Sequence, residues 1–377
     1  MLFRSDEFIS LGHRLSIPIT TAWTHDLIHS GQPLFCGRQG TIGTRAGNFT
    51  VQNADTVMIV GSRMCIRQIS YNWKSFAREA FKIQVDIDEN ELRKPTLSAD
   101  LPICADAKKF LQLVLDRIPA DFVIPNRRIE WLGWCKARSE ANPNVLPKQR
   151  VAEPGTINAY HFVELLFQES QDGDIFACGD ATACITPFQA GYLKPGQRLF
   201  SNSGSASMGY DLPAAIGASF AAPDKTIICL AGDGSIQMNI QELATIAYHK
   251  LPIKIFVLSN GGYLSIRSTQ ANFFKRLIGE GPESGVGFPD FERVAEGYGI
   301  PAAKLDTSKP KEHMKDLLGK PGPMLVVVEL DRNQGFEPKL SSKRLEDGTM
   351  VTAPLEDMAP FLERDVFVKN MIIKPVS

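Results

Sequence analysis

The chain has almost no net charge: 41 Lys and Arg against 42 Asp and Glu leave −1. No bulk basic field exists to hold nucleic acid or anionic lipid. Long apolar runs are also lacking. None approaches the ~20 residues needed to cross a bilayer, so neither a membrane nor a nucleic acid is expected as a partner. Cysteine is sparse, 7 among 377 residues, and no Cys-x-x-Cys occurs. The odd count and wide spacing argue against a disulfide framework or a structural zinc site. Free buried thiols in a reducing compartment are expected, and the first residues show no basic region followed by an apolar stretch; the expected compartment is the cytoplasm. Repeats of 20–50 residues and low-complexity tracts are missing too.

What is present is an ordinary globular composition, 44% hydrophobic and 22% charged, which a disordered chain would not show. At ~150 residues per domain the length corresponds to about two and a half domains. Short β-branched runs alternate with helical patterns, the signature of α/β architecture with parallel sheets. Strands are predicted at 17–21, 56–60 and 82–87, then at 174–178, 198–201, 226–230, 253–259 and 324–329, with a helix at 105–116. Between 118 and 154, Pro119, Pro125, Pro143, Pro147 and Pro154 interrupt the pattern. This segment reads as a linker with one short helix at 130–139; a decoration on one of the domains is the other reading. The organisation expected is a domain over 1–118, a linker over 119–155, a second domain over 156–335 and a polar surface tail over 336–377. That tail, with Lys339, Lys343 and Arg344, reads either as a solvated surface or as a wrap over another domain or subunit that contributes to a site or dimer contact.

Residues 225–274 are the most informative. A buried strand ends in Gly232-Asp233-Gly234-Ser235, a helix is predicted to open at Asn239 with Glu242 in capping-box spacing, and a second strand ends in Ser259-Asn260-Gly261-Gly262. The handedness of a βαβ unit makes the two strands parallel and brings both turns to one carboxyl edge, where open α/β sheets bind ligands. Asp233 and Asn260 offer hard oxygen ligands there, and helix N-termini just beyond favour an anion. The spacing predicts a Mg²⁺-diphosphate site. Either turn alone would be an ordinary structural turn; the pair flanking a strand–helix–strand is specific.

This segment resembles the thiamine diphosphate motif, which opens with Gly-Asp-Gly and closes in paired asparagines. Ser259 replaces the first asparagine and Asn260 matches the second. The stretch Ala206-Ser207-Met208-Gly209 with Leu212-Pro213-Ala214-Ala215-Ile216-Gly217 is similar to acetolactate synthase and related carboligases. So is the region 17–109, with Gly61-Ser62-Arg63 and Val85-Asp86-Ile87-Asp88, in their central domain. The fold implied is α/β with two Rossmann-like parallel-sheet domains, a central one and a thiamine-diphosphate-binding one, and a C-terminal tail.

Residue by residue, the resemblance implies that Asp233 and Asn260 ligate Mg²⁺ by side chain and Gly262 by its carbonyl. It places Gly232, Gly234, Ser235, Asp180, Ala181, Thr182 and Tyr263 around the cofactor. The Ala206 carbonyl and the neighbouring Ser207 and Met208 would meet the pyrimidine. Met238 would bend the cofactor so that it serves as its own base, where the spacing to Asp233 alone separates it from an ordinary core methionine. Gly61, Arg63, Arg67, Asp86 and Asp106 fall at FAD-contact positions, which leaves FAD open in the central domain; a salt-bridged surface is the other reading of the two arginines. The implied activity is decarboxylation of a 2-oxo acid and transfer of the acyl unit to a carbonyl acceptor, in a homodimer or homotetramer.

The resemblance is incomplete in two places. The activating glutamate of the family lies in a separate N-terminal pyrimidine domain with no counterpart here, so no catalytic residue is assigned. The chain is expected to be a piece of a three-domain enzyme, or one subunit of a split enzyme, inactive by itself. A non-catalytic thiamine-diphosphate- or nucleotide-binding protein is the alternative. Thr269 also stands where acetolactate synthases carry a tryptophan beside the substrate.

Overall fold

The protein's structure, a computed structural model, describes residues 5–344, 347 and 349–376. They form two compact units: unit 1 comprises the described residues within 1–28, 32–144 and 336–377, and unit 2 comprises 29–31 and 145–335. Among the described residues no helix is long and apolar enough to cross a membrane.

In unit 1, β1 (Ile19–Thr21) pairs in parallel with β2 (Phe35–Arg38). The strands β3 (Thr56–Val60), β4 (Phe81–Asp86) and β5 (Leu101–Cys104) form a parallel sheet in sequence order. One face meets the helices Ser5–Leu15 and Ala107–Arg117 through Leu11, Val60, Val85 and Leu111. The other packs Ile59 against Val51, Met64, Ile69 and Phe76. Polar caps fix where the helices start: Asp106 accepts from Lys109 N, and Thr44 accepts from Gly47 N ahead of Arg45–Gln52.

Two expectations are corrected in this unit. The segment 119–155 is not a linker over most of its length. Asn126–Ala141 is a sixteen-residue helix that packs on Arg45–Gln52, buries Cys135 fully and sets Leu132 against the cluster of Ile19, Ile28, Leu34 and Phe35. Its prolines lie outside it, Pro125 at the N-cap and Pro143 beyond the end, so they punctuate the segment without breaking the helix.

The tail 336–377 is not a free surface either. Leu355 is buried in the unit 1 core and Leu340 packs beside it. The buried carboxylate of Glu356 pairs with Arg78 at 2.8 Å and accepts from Gln52 Nε2 at 2.6 Å. Ile372 N donates to Asn53 Oδ1 at 2.7 Å, and Lys339 exchanges backbone hydrogen bonds with Ala359. Isolated apolar anchors in a polar stretch carry no periodicity, which hid this packing in the sequence. The strands Ser342–Arg344 and Met350–Thr352 form an antiparallel pair; the side chains of Lys343 and Arg344 lie outside what is described.

Unit 2 is built on six parallel strands: β6 (Ile175–Cys178), β7 (Arg198–Ser201), β8 (Ile227–Gly232), β9 (Ile253–Ser259), β10 (Ala302–Lys304) and β11 (Met324–Glu329), ordered β10-β11-β9-β8-β6-β7. Both faces are buried. Ile228, Leu230, Phe256 and Leu258 point into one core with the helix Ala159–Glu169, while Ile227, Cys229, Ile255 and Val257 fill the other. That two-sided burial explains the uninterrupted apolar runs of β8 and β9. The chain leaves β6 for β7 on one side and returns as β8 on the other, a topological switch whose carboxyl edge opens a crevice. All seven cysteines are free: five are buried, Cys65 is half-buried and, against expectation, Cys104 is exposed.

Candidate functional site

Four turns share the carboxyl edge of unit 2: 179–181 after β6, 202–210 after β7, 233–235 after β8 and 260–263 after β9. Register β8↔β9 pairs Gly232 with Leu258, which sets Asp233 next to Asn260 although 27 residues separate them.

Asp233 is buried, and backbone amides surround its carboxylate. Gly234 N donates to Oδ1 at 2.8 Å; Gly262 N and Asn260 N donate to Oδ2 at 3.0 and 3.2 Å. Among the described residues no Lys or Arg pairs with it. Burial pushes its carboxyl up to about 6, partly offset by those amides. Asn260 is buried; its Nδ2 donates to Thr182 Oγ1 at 3.4 Å, while its Oδ1 has no hydrogen-bond partner. A buried amide oxygen without a donor beside a buried carboxylate without a counter-charge fits a hard cation. No cluster of three His, Cys, Asp or Glu side chains placed to hold a metal occurs among the described residues. The side-chain donors at this point are therefore one carboxylate and one amide oxygen, hard oxygen ligands of the kind a divalent cation takes.

Two glycines are required by close approach. Gly262 has φ +130°, and a Cβ there would lie 1.9 Å from the Glu280 carbonyl oxygen; at Gly234 a Cβ would lie 2.1 Å from the Tyr263 ring. Tyr263 thus packs over the 233–235 turn, and Gly232 ends β8, where a Cβ would meet the Ser235 side chain at 3.8 Å.

The helices beyond the two turns are weaker than the spacing predicted. Ile236–Glu242 is 3₁₀ with a kink at Asn239, and Leu264–Thr269, though only six residues of α-helix, continues as a π-helix over Gln270–Phe274, which fills the helical stretch expected at 263–274. The capping box is absent: Asn239 Nδ2 reaches back to the Gly209 carbonyl at 2.7 Å. Two regular helices open at this edge: Asp211–Ala221, headed by its own acidic residue, and Thr182–Ala190, which follows Asp180 and a strained Ala181 at φ +48°. The second leaves its first turn free of a carboxylate. Its N-terminus is the better anion site. Thr182 is buried, and burial raises the Asp180 carboxyl.

The loop after β7 is more open. Ala206, at φ +52°, and Ser207 are exposed, and Met208 is half-buried. Met238 is 53% exposed, so it is no core methionine. Thr269 ends the helix Leu264–Thr269.

One contributor was missed. Asp211 is fully buried; Ser235 Oγ donates to its Oδ2 at 2.7 Å and in turn accepts from Gly209 N at 2.9 Å. The pair ties the 202–210 loop to the 233–235 turn. The only available signal was an acidic residue heading the apolar run 212–218. Burial pushes Asp211 up to about 6, and the charge of Asp180 adds to this. Since the folded state holds the proton more tightly than the unfolded chain, Asp211 costs stability as pH rises from about 4 to about 6 and at a constant level above. Asp211→Asn is expected to stabilise the protein by about 1–3 kcal/mol at pH 7.5 and by little at pH 4.5. Denaturant melts at both pH values check this; an equal gain at both would mean ordinary titration.

In unit 1, Gly61 and Arg63 line a cavity of about 270 Å³ with Thr21, Trp23, Gln39 and Met64. Thr21 Oγ1 and Gln39 Oε1 are buried there without hydrogen-bond partners. Arg67, Asp86 and Asp106 do not line it. The Arg67 carbonyl accepts from Thr41 N, Asp86 accepts from Asp88 N and Asp106 caps a helix.

Comparison with known proteins gives two family matches. Residues 180–328 match the thiamine pyrophosphate enzyme C-terminal TPP binding domain, and residues 4–114 match the thiamine pyrophosphate enzyme central domain. The chain is 31% identical over 346 residues to the acetolactate synthase large subunit of Cyanidium caldarium, covering 89% of this chain and 56% of that protein. It is 29% identical over 341 residues to the acetolactate synthase isozyme 1 large subunit of Escherichia coli (strain K12), covering 87% and 56%. To a probable chloroplastic acetolactate synthase 2 of Oryza sativa subsp. japonica it is 31% identical over 344 residues, covering 86% and 50%. The chain thus spans about half the length of the curated relatives it matches.

Proposed function

Because the chain belongs to the thiamine pyrophosphate enzyme family, with that family's central and C-terminal domains, we propose that it acts in a thiamine-diphosphate- and Mg²⁺-dependent decarboxylase or carboligase of the acetolactate synthase type. The observation that carries the cation part is the buried, counter-charge-free Asp233 carboxylate beside the unpartnered Asn260 Oδ1. When bound, thiamine diphosphate supplies a carbon centre that stabilises the acyl anion left by loss of CO₂ from a 2-oxo acid. Asp233, Asn260 and Gly262 would hold the cation. Ser235 and the amides around Asp180–Thr182 would hold the diphosphate. Ala206, Met208 and Met238 would face the organic rings. The substrates proposed are a small 2-oxo acid and a carbonyl acceptor. Calorimetric titration of thiamine diphosphate with Mg²⁺ and with EDTA is the test; affinity unaffected by EDTA refutes the cation site.

Residues 1–377 are proposed to bind the cofactor without turning it over, since among the described residues none of the side chains at this edge is a glutamate placed to protonate a pyrimidine. Met238, just after the 233–235 turn, and Phe273 and Phe274, at the end of the helical segment that follows the 260–263 turn, are 53, 59 and 72% exposed. That supports completion of the site by further polypeptide in a homodimer or homotetramer. No pyruvate decarboxylation is expected when this polypeptide is assayed with thiamine diphosphate and Mg²⁺. Steady CO₂ release would overturn that expectation.

FAD is the finer reading for the unit 1 cavity, supported by Gly61 and Arg63 and by the unpartnered Thr21 and Gln39 atoms. Its volume lies below the range for whole drug-sized ligands, so it would seat one part of a dinucleotide. Flavin absorbance of the purified protein decides it. Seven free thiols support a reducing compartment, the cytoplasm being the proposal.

A further inference from the structure

Resting on the cation-site reading above, we propose that Arg267, oriented by the buried carboxylate of Glu280, is a positioning residue that fixes the 260–262 loop for cation binding. The loop has little stiffness of its own, since Gly261 and Gly262 have φ of +64° and +130° and no side chains to pack. It is held instead peptide plane by peptide plane. Arg267 Nη2 donates to the Gly261 carbonyl at 2.8 Å, and Nη1 approaches the Asn260 carbonyl at 3.4 Å. The other end of the Gly261–Gly262 peptide, Gly262 N, donates to Asp233. Tyr263 N donates to the Glu280 main-chain carbonyl at 2.8 Å. Because a peptide is planar, that bond also fixes the direction of the Gly262 carbonyl, the group that the family resemblance assigns to the metal. Each plane of the loop is thus anchored by Arg267, Glu280 or Asp233.

The Glu280 side chain has no other function in sight. It is 2% exposed, and the Arg267 guanidinium, 15% exposed, pairs with it through Nε. Glu280 N and Gly281 N both donate to Ser284 Oγ, at 2.8 and 3.0 Å, which holds the segment in place behind the loop. A buried ion pair is weak evidence for stability, since desolvation offsets its attraction; it does fix the orientation of the fork. Here the fork is aimed at two loop carbonyls. Lysine would keep the charge and lose the planar donor set.

Thiamine diphosphate is titrated calorimetrically into the full chain at graded Mg²⁺, and Mn²⁺ binding is followed in parallel by electron paramagnetic resonance. Arg267→Gln and Arg267→Lys are expected to raise the half-saturating Mg²⁺ about tenfold or more, as outer-sphere changes at metal sites do. Affinity for thiamine diphosphate at saturating Mg²⁺ should stay near that of the parent chain. Glu280→Gln keeps the main-chain carbonyl and should give an intermediate rise; it also carries the test if the arginine variants fail to fold. A purely structural role would lower the melting temperature and leave half-saturating Mg²⁺ within twofold, which overturns the proposal while the site reading stands. Equal loss of thiamine diphosphate affinity at every Mg²⁺ concentration overturns it too. If the unsubstituted chain shows no Mg²⁺-dependent binding at all, the site reading fails first and takes the proposal with it.

Discussion

Asp233→Ala is expected to remove Mg²⁺-dependent binding of thiamine diphosphate altogether, a loss of at least about 100-fold, since even outer-sphere changes at metal sites cost 10–100-fold. The reason lies in the donor set. Asp233 is the single carboxylate placed at the junction of the β8 and β9 turns, and three backbone amides orient it. Asn260 and backbone carbonyls carry dipoles only, so removal of Asp233 leaves a dication facing no full charge from the protein. Asp233→Asn preserves the shape and an acceptor for the amides, and should bind no better than the alanine variant. Calorimetry in Mg²⁺ and in EDTA reads both. If either variant retains affinity within threefold of the parent chain, the cation site is elsewhere.

Gly262→Ala should be the most destabilising single methyl group in unit 2. Two effects add: a positive φ that costs an L-residue about 1–2 kcal/mol, and overpacking worth about 1–3 kcal/mol. The Cβ would sit 1.9 Å from main-chain oxygen of Glu280, which cannot swing away as a side chain would. The loss expected is about 2–5 kcal/mol. Gly285→Ala is the matched control. It has φ +100° and open space around the Cβ, so only the backbone term applies, about 1–2 kcal/mol. Urea melts of the two variants separate the clash from the strain. Equal losses would show that the Glu280 segment yields to the methyl group.

Much of unit 2 could be read in advance because its strands are buried on both faces. The runs 253–259 and 324–329 coincide with β9 and β11, and the 226–230 run falls within one to two residues of β8. Two glycine-bearing turns at the ends of neighbouring parallel strands were enough to bring Asp233 and Asn260 together on paper. Where local signals conflict with tertiary demands, the reading failed. Asn239 and Glu242 have capping-box spacing, but the Gly209 carbonyl takes the Asn239 amide and the turn becomes 3₁₀. Asp211 left only an acidic residue ahead of an apolar run and Glu280 left no trace, because full burial of a carboxylate is decided by partners distant in sequence. In unit 1 the helix expected at 130–139 extends over 126–141, the flanking prolines having made the segment read as a linker, and the packing of 336–377 was hidden by the sparseness of its apolar anchors.

The place of that last segment has a consequence for synthesis. Leu340, Leu355 and Glu356 belong to the core of unit 1, whose other parts precede residue 145. The ribosome must make all of 145–335 before they emerge, which at 5–20 residues per second takes roughly 10–40 s. During that interval Gln52, Arg78 and the apolar bed of Leu355 stand open on an unfinished nascent chain. Unit 2 has every one of its strands by then and can fold first. The last pieces of the unit 1 core therefore arrive only after the whole of unit 2 has been made.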